Sequence, residues 1–124
     1  MEVFRLDKSA HQPKVVLDPE SGNILFEGNL VAQNIRNFFD PIFEWCHQYF
    51  KAGAESANVE VRMPHYNTAA SKMIVQMFCL LKDYEEGGTK INVDWFYVDE
   101  DEDMVELAHE TEEVSGLKFN FHSM

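Results

Sequence analysis

The chain has 124 residues, 45% of them hydrophobic and 13% aromatic, enough to bury a core without disulfide or metal support. With 10 basic against 22 acidic residues it carries a net charge of −12. Such a surface repels phosphate backbones and anionic lipid, which argues against nucleic-acid and membrane-surface partners.

Residues 1–13 open with a short mixed run and turn polar at Ser9, His11, Gln12 and Pro13, which suits an N-terminal arm or an edge strand. The run 14–18 is short, apolar and β-branched, hence a strand. Turn chemistry follows at 19–23, where Gly22 and Asn23 tolerate positive φ, and a second strand at 24–28 completes a hairpin. A first helix is expected over 34–50, because Ile35, Phe38, Phe39, Ile42, Trp45, Cys46, Tyr49 and Phe50 recur at steps of three and four. Pro41 falls inside it and predicts a kink or break, since it lacks an N–H and clashes with the preceding turn.

Alternation of Val59, Val61 and Met63 against Glu60 and Arg62 predicts a third strand at 58–63. A second helix spans 68–85 on a stripe of Met73, Ile74, Met77, Phe78, Leu81 and Tyr84, and Gly87-Gly88 ends it. A fourth strand at 90–98 places Ile91, Val93, Trp95 and Tyr97 on one face. After an acidic run at 99–103 comes a third helix with Met104, Leu107, Ala108 and Thr111 inward, closed by Gly116, and then a fifth strand at 117–121. The order ββαβαβαβ implies one α/β domain over 1–124: a mixed, mostly parallel sheet of about five strands with three helices.

Most catalytic signatures are missing. There is no Gly-x-Gly-x-x-Gly, no phosphate-cradling Gly-Lys-Ser/Thr loop, no His-Glu-x-x-His and no Gly-x-Ser-x-Gly, so neither an enzyme nor a bound cofactor is expected. The five histidines are scattered and mark no metal site. Cys46 and Cys79 lack a partner at metal or redox spacing and read as reduced, buried small hydrophobes. Asp99, Asp101, Asp103 and Glu110 fit a calcium loop in part, but Met104 stands where the loop needs Gly. Acids gathered at a helix start, favoured by its dipole, explain the run more simply; a docking patch for a basic partner is the third reading. The N-terminus has no basic region followed by an apolar run, so no signal peptide is expected, and no stretch is long and apolar enough to span a bilayer. With the cysteines read as reduced, a cytoplasmic location is expected.

The local chemistry concentrates at residues 64–72, Pro64-His65-Tyr66-Asn67-Thr68-Ala69-Ala70-Ser71-Lys72, between the third strand and the second helix. The first N–H groups of a helix point outward there and the dipole favours an anion. On residue type alone, Thr68 is either a phosphorylation switch or, with Asn67, simply a candidate helix cap.

Four segments in order, 17–28, 38–45, 66–73 and Trp95-Phe96-Tyr97 with the acidic run behind it, resemble the SiaC-type bacterial regulatory phosphoproteins across roughly residues 14–122. The resemblance implies a fold like that of anti-sigma-factor antagonists (STAS-like) and a non-enzymatic partner-switching module. It implies that Thr68 is phosphorylated by a dedicated serine/threonine kinase and dephosphorylated by a PP2C-like phosphatase. The unphosphorylated form would bind and activate a diguanylate cyclase, raising cyclic di-GMP and favouring biofilm growth. Tyr66, Asn67, Thr68, Ser71 and Lys72 are then the expected partner-binding residues, with surface from the first-helix region. Ala69 and Ala70 depart from the small hydroxyl residues expected after the threonine and leave Ser71 as the nearest helper. The alternatives are an anti-sigma-factor antagonist with another target and a small enzyme without a recognised motif.

Overall fold

In the computed structural model, which describes all 124 residues, the elements are β1 (Phe4–Leu6), β2 (Lys14–Asp18), β3 (Asn23–Glu27), α1 (Ile35–Lys51), β4 (Ser56–Arg62), α2 (Thr68–Glu86), β5 (Lys90–Tyr97), α3 (Glu102–Ser115) and β6 (Phe119–Ser123). The six strands lie side by side in chain order. β1, β2 and β3 form an antiparallel meander, and β3 to β6 run parallel. Three parallel crossovers step in one direction across the sheet. Connections of a single hand then lay all three helices on the same face.

Strand alternation supplies that face with its core. One apolar row, Phe4, Leu17, Ile24, Val59, Val93 and Phe119, crosses all six strands in register. A second row, Leu6, Val15, Phe26, Val61, Trp95 and Phe121, lies beside it. α1 covers them with Phe38, Phe39, Ile42, Trp45, Cys46, Tyr49 and Phe50, and α2 with Ala70, Ile74, Met77, Phe78 and Leu81. Each large side chain so buried contributes roughly 1.5–3 kcal/mol. The opposite face is uncovered by any helix, and its middle row reads Arg5, Val16, Leu25, Glu60, Asp94 and Asn120.

The sheet has six strands rather than about five, because part of the N-terminal arm pairs with β2 as an edge strand. The indole N–H of Trp45 donates to the carbonyl of Glu2 and holds the arm down. Pro41 does not break α1, which is continuous from Ile35 to Lys51. Both Pro41 and Asn37, the residue whose carbonyl loses its helical donor, are exposed, so water replaces the missing bond while the buried stripe holds the axis. Cys46 is fully buried, and burial pushes its thiol up to about 12, whereas Cys79 is only half-buried. The last strand begins two residues later than expected. Gly116 at φ 80 turns the chain, the Leu117 amide is held by the Ser115 hydroxyl, and the ladder starts only at Phe119.

Candidate functional site

The parallel strands β3, β4 and β5 all point the same way, so the helices that follow them begin at one end of the sheet. Their caps are Asn34, Asn67 and Asp101. The central helix start is built by two loops running together. Past β3 and β4, the Leu30 amide donates to the His65 carbonyl at 2.8 Å, and the Asn67 amide donates to the Leu30 carbonyl at 3.2 Å. Leu30 itself is fully buried and anchors the pair of loops.

Asn67 is extended, with φ −97 and ψ 173, and is the cap of α2. Its side-chain oxygen accepts from the Ala70 amide at 2.8 Å, and its side-chain nitrogen donates to the Ala32 carbonyl at 3.3 Å. One residue thus satisfies an orphan helix donor and ties α2 to the loop before α1. Thr68 is therefore not the cap. It occupies the first helical position, is exposed, and its hydroxyl takes part in no hydrogen bond. Ser71, one turn on and half-buried, donates its hydroxyl to the Thr68 carbonyl at 2.7 Å. Ala69 is exposed, and Ala70 is sealed in the core.

A cleft of about 380 Å³ brings Tyr66, Asn67, Thr68 and Ser71 together with Asp101 and Asp103. Its far wall is the first turn of α3, where Glu102 and Asp103 are the only acids in the first turn of any helix. The Tyr66 hydroxyl crosses to that wall and donates to the Asp103 carbonyl at 2.6 Å. Burial, followed by the nearby charges of Asp103, Asp101, Glu106 and Glu110, pushes the Tyr66 hydroxyl up to about 12. Lys72, the fifth expected partner-binding residue, does not line this cleft. It is exposed in the neighbouring groove between α2 and α3, with Leu107 and Glu110.

The acidic run acts here as helix-start chemistry. Asp101 spends one carboxylate oxygen as the cap of α3, accepting from the Met104 amide at 3.1 Å. No group of three or more His, Cys, Asp or Glu is disposed to hold a metal ion. Sequence reasoning missed that these acids face Thr68. The signal was available in the topology, since parallel strands with same-side crossovers must set the starts of α2 and α3 side by side.

The sequence pattern of the SiaC family regulatory phosphoproteins matches residues 6–124. The chain belongs to the SiaC family. An uncharacterized protein of Pseudomonas aeruginosa strain UCBPP-PA14 is 23% identical over 107 residues, which is 86% of this chain and 85% of that protein. The fold is that of apo-SiaC from Pseudomonas aeruginosa, with a TM-score of 0.92 at 20% identity over 99% of this chain and all of that one. SiaC in its crystallised complex with the diguanylate cyclase SiaD, of which it is the activator, superposes with a TM-score of 0.90 at 21% identity. That alignment covers 98% of this chain and 99% of the other. As in those structures, the architecture is an α/β sheet, mostly parallel, with three helices. No helix of the chain is long and apolar enough to cross a membrane.

Proposed function

We propose that this SiaC-family chain is a non-enzymatic cytoplasmic adaptor that binds and activates a diguanylate cyclase when Thr68 is unphosphorylated. A serine/threonine kinase switches it off by phosphorylating Thr68, and a PP2C-like phosphatase restores it. The observation that carries this reading is the free hydroxyl of Thr68. Because Asn67 performs the capping, Thr68 is exposed on the first turn of α2 and its hydroxyl has no structural duty. A phosphate there adds about −1.5 to −2 charge and lies where the α2 dipole favours an anion, so the fold tolerates it. At a partner interface the same charge is disruptive. Family membership and the activator role of the Pseudomonas aeruginosa SiaC in its complex with SiaD support the choice of a cyclase as target.

The test compares cyclase binding and activation by wild type, Thr68→Ala and Thr68→Asp. Thr68→Ala retains both, while Thr68→Asp weakens binding by tenfold or more, which is about 1.4 kcal/mol. Equal binding by all three proteins defeats the proposal. Mass spectrometry of the protein from its native cells locates the phosphate on Thr68; phosphate on Ser71 alone would move the switch one helical turn.

A further inference from the structure

The Thr68 cleft has a wall that the switch reading leaves without a role. We infer that the Tyr66–Asp103 hydrogen bond is a latch that phosphorylation of Thr68 opens, so that the first turn of α3 reports the modification to the partner. This deepens the reading of Thr68 as the phosphorylated residue and rests on it.

Three features converge. The Tyr66–Asp103 bond is the one hydrogen bond that joins the loop before α2 to the start of α3. Asp101 and Asp103 share the cleft with Thr68, so a phosphate on its hydroxyl meets like charges across the cleft. The Asp101 carboxylate is held by its cap bond to the Met104 amide and cannot turn away without loosening the first turn of α3, where Asp103 supplies the carbonyl that Tyr66 holds. On its own side, the phosphate is favoured by the start of α2, which Asn67 pins to the Leu30–Ala32 loop. The two walls of the cleft therefore respond unequally. α2 is anchored to the loop and the core, whereas Glu102 and Asp103 are exposed and α3 reaches the core only from Met104 onward. Repulsion is relieved by fraying the first turn of α3. His65, also on the cleft, is exposed and makes no side-chain bond that resists this movement.

Tyr66 is thus a positioning residue for the switch, and amide exchange reads its state. The Met104 amide is held by the Asp101 side chain and the Val105 amide by the Asp101 carbonyl, so both report the first turn of α3. Hydrogen exchange is followed in the full chain, unphosphorylated and with phosphothreonine installed at position 68. Exchange at Met104 and Val105 rises fivefold or more on phosphorylation. Tyr66→Phe produces a comparable rise without phosphate. The pair Asp101→Asn with Asp103→Asn, which keeps the cap acceptor and the latch carbonyl, cuts the phosphate-induced rise to under twofold. Unchanged exchange in a chain whose phosphate is verified by mass overturns the latch, and so does a full rise in the doubly neutralised variant. Cyclase binding measured on the same samples separates the two ideas. Binding lost with quiet α3 amides removes the latch and keeps the switch; responsive α3 amides with unchanged binding show that the turn opens without reporting to the partner, and overturn both.

Discussion

Two tyrosine hydroxyls hold main-chain carbonyls at opposite ends of the sheet. Tyr49, near the end of α1, donates to the Ser56 carbonyl at 2.7 Å, and Tyr66, before α2, donates to the Asp103 carbonyl at 2.6 Å. The bonds are alike, but their surroundings differ. Tyr49 is 9% exposed, stacks on Trp45 and sits above Gly22, where an added Cβ would lie 2.8 Å from its hydroxyl and 2.9 Å from the Ser56 carbonyl. Tyr66 is half-buried and faces acids across an open cleft. The first bond is partly buried and packed against Gly22, within the framework of the fold. The second spans a gap between two helix starts, so it is free to change state.

This contrast is most sharply exposed by Gly22→Ala. Gly22 has φ +77, where a side chain is strained, and its neighbours leave no room for a methyl group. Strain and overpacking together cost about 2–4 kcal/mol, visible as a lower denaturant midpoint, while cyclase binding by the folded protein is unchanged. The mirror experiment is Asn67→Ala at the other end. Loss of the cap costs about 1–2 kcal/mol, and here binding falls as well because Thr68 loses its placement. If Gly22→Ala weakened binding as much as Asn67→Ala, the division between a structural end and a functional end would collapse.

Removing the hydroxyls one at a time narrows the comparison further. Tyr49→Phe is expected to cost about 1–2 kcal/mol, and Tyr66→Phe less than about 1 kcal/mol, since water reaches the carbonyl left behind. Equal costs by chemical denaturation would contradict the unequal enclosure of the two sites.

Titration reads the two hydroxyls together. Both hydroxyls are raised above the ordinary tyrosine value of 10.0, Tyr49 by burial and then by Asp18, and Tyr66 to about 12. A raised folded-state value means that the stabilising effect is intact below about pH 10 and is lost as pH climbs toward 12, because the unfolded chain ionises first. Cys46, raised from 9.0 to about 12 by burial, acts in the same direction from a lower starting pH. Stability measured from pH 8 to 12 should therefore decline, and Tyr66→Phe should make the upper part of that decline shallower.

Much of this was legible in the amino-acid order. Strict alternation in 59–63 and 91–97 placed the sheet's inner face, and the three- and four-residue steps of Phe38 to Phe50 placed α1, because burial imposes those periods directly. Pro41 misled because its cost depends on whether the orphaned carbonyl is wet, which the local sequence does not reveal. The corner itself was visible as an Asn-Thr pair at a helix start. Which of the two caps was open, since both residue types do so, and only the extended backbone of Asn67 and its bond to Ala70 decide it. The Tyr66–Asp103 contact joins residues 37 positions apart, so it is set by crossover geometry, for which no local pattern codes.

The two alanines after Thr68 acquire a meaning from their placement. Ala69 offers solvent a methyl group, Ala70 is closed off entirely, and the Ser71 hydroxyl already serves the Thr68 carbonyl. An enzyme arriving at this helix start finds a single unengaged hydroxyl on its first turn. Under the proposed switch this turn carries one mark or none, and grading of the signal comes from how many molecules are marked rather than from how heavily each one is.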